Sequence, residues 1–114
     1  MATTTSNPRP AVAGDIGDTR TVTLAGIADL TAAVSARGIV TYSSDLTDTA
    51  ELTATIDDPA GTDVTVELGG VGGWLASAAP GVWLLEVEVT FADGSVLSWP
   101  QAGADTLIVR ADLD

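Results

Sequence analysis

The side chains here that could do chemistry are carboxylates, hydroxyls, four guanidiniums and three indoles; His, Cys and Lys are absent. The carboxylates gather in two places: Asp45 and Asp48 flank one turn, and Asp57, Asp58 and Asp63 surround another. Asp-rich loops can hold calcium through oxygen ligands, but the D-x-[DN]-x-[DN]-G spacing does not occur. The simpler expectation is that each Asp accepts nearby backbone N–H groups and stabilises its own turn, so no metal is expected. Paired carboxylates also catalyse glycoside hydrolysis. Here, though, Asp57, Asp58 and Asp93 fall in turns, and Glu51, Glu67, Glu86 and Glu88 fall at outward strand positions. Gly69-Gly-Val-Gly-Gly-Trp-Leu75 could approach a phosphate, but it lacks the following helix and the Lys or hydroxyl at fixed spacing that complete such a site. It reads as a loop.

What is missing narrows the classes further. Without His or Cys there is no thiolate or imidazole zinc site, and without Cys no disulfide. Cys nucleophiles, Lys Schiff bases and His general bases are equally excluded. The chain is expected not to be an enzyme and to need no cofactor. Arg9, Arg20, Arg37 and Arg110 stand against 16 acidic residues, a net charge of −12 over 114 residues. Scattered cations on so acidic a chain disfavour nucleic acid and anionic membranes. The Arg-only, Ala-rich usage fits a GC-rich genome better than salt adaptation. No leader pattern or spanning segment is visible, so a soluble protein made without classical export is expected.

The indoles are the remaining candidates. Trp83 falls in a core-facing register together with Phe91, whereas pattern constrains Trp74 and Trp99 less. Each of these two either covers an end of the domain or anchors a protein–protein contact, where Trp is enriched. With Pro8, Arg9 and Pro10 of the opening segment, Trp74 and Trp99 form the candidate interface.

These residues must be positioned by strands. Residues 1–17 show no periodicity, and Pro8 and Pro10 hold their neighbours extended. This arm either frays or orders only against a neighbouring subunit. Residues 18–114 read as one β-domain. Thr19–Leu24 alternates Thr with Arg20, Val22 and Leu24, the two-residue period of a half-buried strand. A strand over Ala32–Ser43 carries Val34, Ile39, Val40 and Tyr42, and the Arg37-Gly38 pair suggests a bulge within it. Glu51–Ile56 and the Val64, Val66, Leu68 strand flank Asp57-Asp58-Pro59-Ala60-Gly61, a type I turn signature, and so form a hairpin. Val82–Phe91 puts Trp83, Leu85, Val87, Val89 and Phe91 on one face and Glu86, Glu88 and Thr90 on the other. Asp93-Gly94 suits a two-residue hairpin turn into Ser95–Trp99, and Thr106–Ala111 closes the series. About seven short strands without helical crossovers predict an all-β, immunoglobulin-like antiparallel β-sandwich with an extended N-terminal arm.

The order of these motifs resembles a known family, the N-terminal immunoglobulin-like domain of tailed-phage baseplate upper proteins. Related small virion proteins carry the same domain alone. The resemblance runs from Asp15 to Asp114. It rests on Gly17-Asp18-Thr19, Asp29-Leu-Thr31, Ile56-Asp-Asp-Pro-Ala-Gly61, Pro80-Gly81-Val-Trp-Leu-Leu-Glu-Val-Glu-Val-Thr-Phe-Ala-Asp-Gly94, Trp99-Pro100 and Leu107-Ile-Val109. Each motif is generic to β-hairpins, and specificity lies in their order and spacing. Longer members continue into an attachment region for receptor-binding proteins, which has no counterpart here, so no tail-specific role carries over. The resemblance implies an accessory structural protein of a tailed-bacteriophage virion, in the head decoration, neck, tail or baseplate. Its partners would be other virion proteins, in multiple copies or as a homo-oligomer, and its location the virion and, before assembly, the host cytoplasm. The alternative expectation is a carbohydrate- or cell-surface-binding sandwich that stacks sugars on Trp74 and Trp99.

Overall fold

The computed structural model describes residues 3–5, 11–12, 18–69, 73–99 and 105–110. Nine strands follow in order: β1 (Thr3–Thr5), β2 (Ala11–Val12), β3 (Thr19–Leu24), β4 (Ala33–Tyr42), β5 (Asp45–Ile56), β6 (Asp63–Glu67), β7 (Gly81–Phe91), β8 (Val96–Trp99) and β9 (Asp105–Arg110). The helical content of the described residues is one 3-10 turn, Trp74–Ala76.

The strands form two layers. The first runs β1-β3-β6-β5 and the second β5-β4-β7-β9-β2, with β8 beside β7. β5 belongs to both: Thr49–Thr53 pairs with β4, and Ala54–Ile56 pairs with β6. β8 and β9 share one side of β7, Trp99 standing opposite Val87 and Asp105 opposite Leu85. This is an immunoglobulin-like antiparallel β-sandwich, with β3 to β9 its seven strands. β2 against β9 is the parallel pair.

The described parts of the arm belong to the domain itself. Thr3–Thr5 lines the free side of β3 in the first layer, and Ala11–Val12 lies along β9 in the second. An unperiodic Thr and Ala sequence can do this because edge pairing is made by backbone N–H and C=O groups and asks little of the side chains.

Alternation produces the core as the sequence predicts. Val22 and Leu24 of β3, Val64 and Val66 of β6, and Leu85, Val87 and Val89 of β7 point inward and are buried, as are Leu52, Leu107 and Val109. Burying each such side chain stabilises the fold by about 1.5–3 kcal/mol. Phe91, at the end of its row, is only half-buried. The loops close the ends with Leu30, Leu68, Leu75 and Ala78.

One expected bulge and one expected turn differ in detail. The Arg37-Gly38 pair carries no bulge: Arg37 faces outward, Gly38 inward and Val40 inward, in unbroken register with β5 and β7. Gly38 occupies an inward position because a Cβ there would lie 2.7 Å from Val66 Cγ1 on the opposite layer. A small inward residue mimicked a break in phase, and the register shifts fall instead at Ala33/Ser35 and Thr41/Tyr42. At Asp93-Gly94, Gly94 N–H bonds to Phe91 C=O and Phe91 N–H to Ser95 C=O, with Gly94 at φ 89°. The loop is therefore the three-residue type ending in a left-handed Gly, not a two-residue turn. The Asp58–Gly61 turn forms as expected, closed by Gly61 N–H to Asp58 C=O.

Candidate contact surface

The candidate interface residues do not converge. Pro8, Arg9 and Pro10 lie outside the described residues. Trp99 is an interior residue, fully buried, with its indole Nε1 donating to Ala25 C=O at 2.9 Å. It covers the end of the sandwich where β3 finishes and is unavailable as an exposed anchor or sugar platform. Its position opposite Val87, an inward residue of β7, dictates that burial. Trp74 is half-buried at the other end, its ring edge-on to Trp83 at 5.0 Å and 84°. Trp83 is buried, donates to Ala79 C=O, and stacks at 4.7 Å with Tyr42. Tyr42 in turn donates to Pro80 C=O at 2.9 Å. Gly81, at φ 136°, makes room for it, since a Cβ there would meet the phenolic oxygen at 2.8 Å. Tilted and edge-on rings at these distances are favourable packing geometries.

Three arrangements of charged residues stand out. The first is interior. Arg20 takes an inward position on β3, and its guanidinium meets Asp18 Oδ1 at 2.6 Å and Thr19 C=O at 2.9 Å. The Asp18 backbone C=O accepts Leu68 and Gly69 N–H, tying the ion pair to the loop after β6. The phase of the strand placed Arg20 on the inner face; its complete burial needed Asp18 beside it, since a buried charge persists only when paired.

The second arrangement caps turns. Asp29-Leu30-Thr31, Asp45-Leu46-Thr47 and Asp93-Gly94-Ser95 repeat one device: the Asp Oδ1 accepts both the hydroxyl and the backbone N–H two residues on. The hydroxyl hydrogen bond, then the amide, holds Asp29, Asp45 and Asp93 below the usual carboxylate range. Asp58 accepts Ala60 N–H in the same way. Among the described residues no group of three or more acidic side chains is placed to hold a metal ion.

The third lies on the outer face of the second layer. Arg37 of β4 sits between Glu88 of β7, at 2.9 Å, and Glu51 of β5, at 3.4 Å. Its pKa is raised by the hydrogen bond to Glu88 and that residue's charge, with Glu51 adding less. Beside it an open cleft of about 470 Å³ is lined by Ala36, Arg37, Glu51, Leu52, Thr53 and Ala54. The cleft exists because β5 leaves β4 after Thr53 to join β6. The outer face of the first layer is threonine-rich, with Thr21 bonded to Thr65, Thr65 to Asp57 and Thr23 to Asp63.

No family model and no curated protein sequence matches this chain. Among solved structures it is similar to CopC from Methylosinus trichosporium OB3b, at a TM-score of 0.51 and 11% identity, over 97% of this chain and 93% of that one. The likeness is one of fold. Without His or Cys this sequence has no imidazole or thiolate to offer a metal. No helix among the described residues is long and apolar enough to cross a membrane.

The sequence reading missed the extent of β5, expected over Glu51–Ile56 and found over Asp45–Ile56. In its added half Ala50 packs against the core but Asp48 is exposed, so a single small residue carries the inward row. The available signal was the β-branched spacing of Thr47 and Thr49.

Proposed function

We propose that this chain is an accessory structural protein of a tailed-bacteriophage virion, in the head decoration, neck or tail, that docks on a larger assembly through protein–protein contacts. The observation that carries the reading is the disposition of its reactive groups. Carboxylates cap turns or pair outward with Arg37, and the interior ion pair of Arg20 and Asp18 holds a loop. What remains for function is surface and sheet edge. The motif order supports the same reading: Pro80–Gly94 supplies β7 and its turn, and Leu107–Val109 the centre of β9. The acidic outer faces suit a protein that stays soluble in many copies and repels DNA, as an exterior position on a particle requires.

The sugar-binding alternative needs exposed aromatic platforms. Trp99 is interior and Trp74 is half-buried edge-on against Trp83, so that reading keeps at most a partial platform at Trp74. The test is mass spectrometry of purified particles with copy number. Hundreds of copies per particle place the chain in the head shell, and a few tens in the neck or baseplate. Its absence from particles refutes the proposal.

A further inference from the structure

The longest strand of the fold lies at an open edge. Over Thr49–Thr53, β5 pairs in regular register with β4, and no strand among the described residues pairs with its other side. An edge of this length matches an ordinary strand of about five or six residues. It contains neither Pro nor Lys, which commonly blunt an edge, and its one charge is Glu51. An irregular turn through Asp45 bounds it at one end, and pairing with β6 from Ala54 bounds it at the other.

Charge decides which strand this edge takes. Antiparallel pairing of two copies about its middle would set Glu51 opposite Glu51 on chains of net charge −12. Like charges directly opposite are destabilising, so a second copy is rejected. A cation at that position is favoured instead. Glu51 is available to it: its side chain is 63% exposed, and it meets Arg37 only at 3.4 Å, while Arg37 holds Glu88 at 2.9 Å. Glu51 and Thr53 share the outward face of β5, so a Lys or Arg placed opposite Glu51 on an added strand can lay its aliphatic stem across that face with its charge at Glu51.

We propose that Thr49–Thr53 is a strand-addition edge that accepts an extended basic segment of a partner protein, with a Lys or Arg side chain seated at Glu51. This rests on the docking role proposed above and names its surface. Backbone hydrogen bonds would supply the attachment and the cation the selectivity.

The test titrates the full isotope-labelled chain with an acetylated peptide of about seven residues, the length of an ordinary strand. The peptide alternates Thr and Val and carries a central Lys; a control peptide carries Glu instead. Saturable, salt-sensitive binding is expected, with Hα–Hα Overhauser contacts to Thr49–Thr53. The Glu peptide should bind at least about tenfold more weakly, the scale of one charge-assisted contact, and the Glu51→Lys chain should reverse that order. Equal binding of both peptides, contacts at β1 or β8, or no saturation at millimolar peptide would each overturn the edge. A Glu51→Lys chain recovered in particles at wild-type copy number would also overturn it and leave the virion role standing. Absence of the wild-type chain from particles would refute that role, whatever the peptide does.

Discussion

Replacing Gly38 with Ala measures how tightly the two layers are pressed together. The added methyl would meet Val66 Cγ1 at 2.7 Å, and Val66 Cγ2 and Leu52 Cβ at 3.4 Å. Carbon pairs are comfortable at about 3.5–4.0 Å, so something must move by about 1 Å. Val66 is fully buried and β-branched, hence stiff at χ1, and rotating it swings a second methyl already in contact toward the same space. Overpacking of this kind costs about 1–3 kcal/mol. Ala orders the unfolded chain less expensively than Gly, which offsets about 0.4–1 kcal/mol. A net loss of about 1–2 kcal/mol is expected, read as a lower urea midpoint at unchanged slope. Val66→Ala alone should cost about 2–3 kcal/mol in lost methyls and cavity. In the double variant the new methyl faces the space that Val66 vacates. The two losses should then fall short of their sum by about 1–2 kcal/mol, as coupled neighbours do. Gly38→Ala at wild-type stability, or strictly additive losses, would refute the reasoning that layer contact selects this glycine.

Four further outcomes follow from the same geometry. Arg20→Met leaves Asp18 buried without its guanidinium and should cost about 3–5 kcal/mol in urea unfolding, as breaking buried pairs does; a loss below about 1 kcal/mol would mean the pair is solvated. Asp29, Asp45 and Asp93 have folded-state pKa values below the ordinary 3.8, so their contribution is full above that value and is lost as pH falls through the lower folded values. Changing all three to Asn should flatten the decline of melting temperature below about pH 4, and an unchanged decline would assign it to other groups. Trp99→Phe removes the bond to Ala25 C=O and should cost about 1–3 kcal/mol, while iodide quenching of the remaining indoles rises if Trp99 is the most shielded. Deleting residues 1–12 removes the backbone pairing of β1 and β2 and should lower the melting temperature of the isolated domain; an unchanged value would show that these pairings add nothing to stability.

Much of this fold was legible because alternation survives wherever a strand has one wet and one dry face. β3, β6 and β7 show it: Thr19, Thr21 and Thr23 face out while Val22 and Leu24 face in, and Trp83 to Val89 do the same on β7. The signal failed where an inward position is not apolar. Gly38 is inward where the opposite layer is too close for a side chain; Arg20 fell in the inward phase, but its complete burial rests on Asp18, which alternation does not encode. It failed again along the first half of β5, where an open edge needs no apolar row. Trp74 and Trp99 could not be told apart from local pattern, since Trp99 is fixed by a carbonyl 74 residues away. The turn positions of Asp58 and Asp93 were legible, whereas which carboxylate lines an open edge depended on register.

β5 has a consequence for how the domain comes apart. A sandwich whose layers meet only through side chains can shed one layer in a partial opening. Here one continuous strand carries hydrogen bonds to β4 and then to β6, so the two layers are joined through a shared backbone as well as through side chains. Unfolding is therefore expected to be a single cooperative event, with the slowest-exchanging amides of β4 and β6 sharing one opening free energy. In any assembly that holds it, such a domain fails by detachment as a whole rather than by gradual loosening in place.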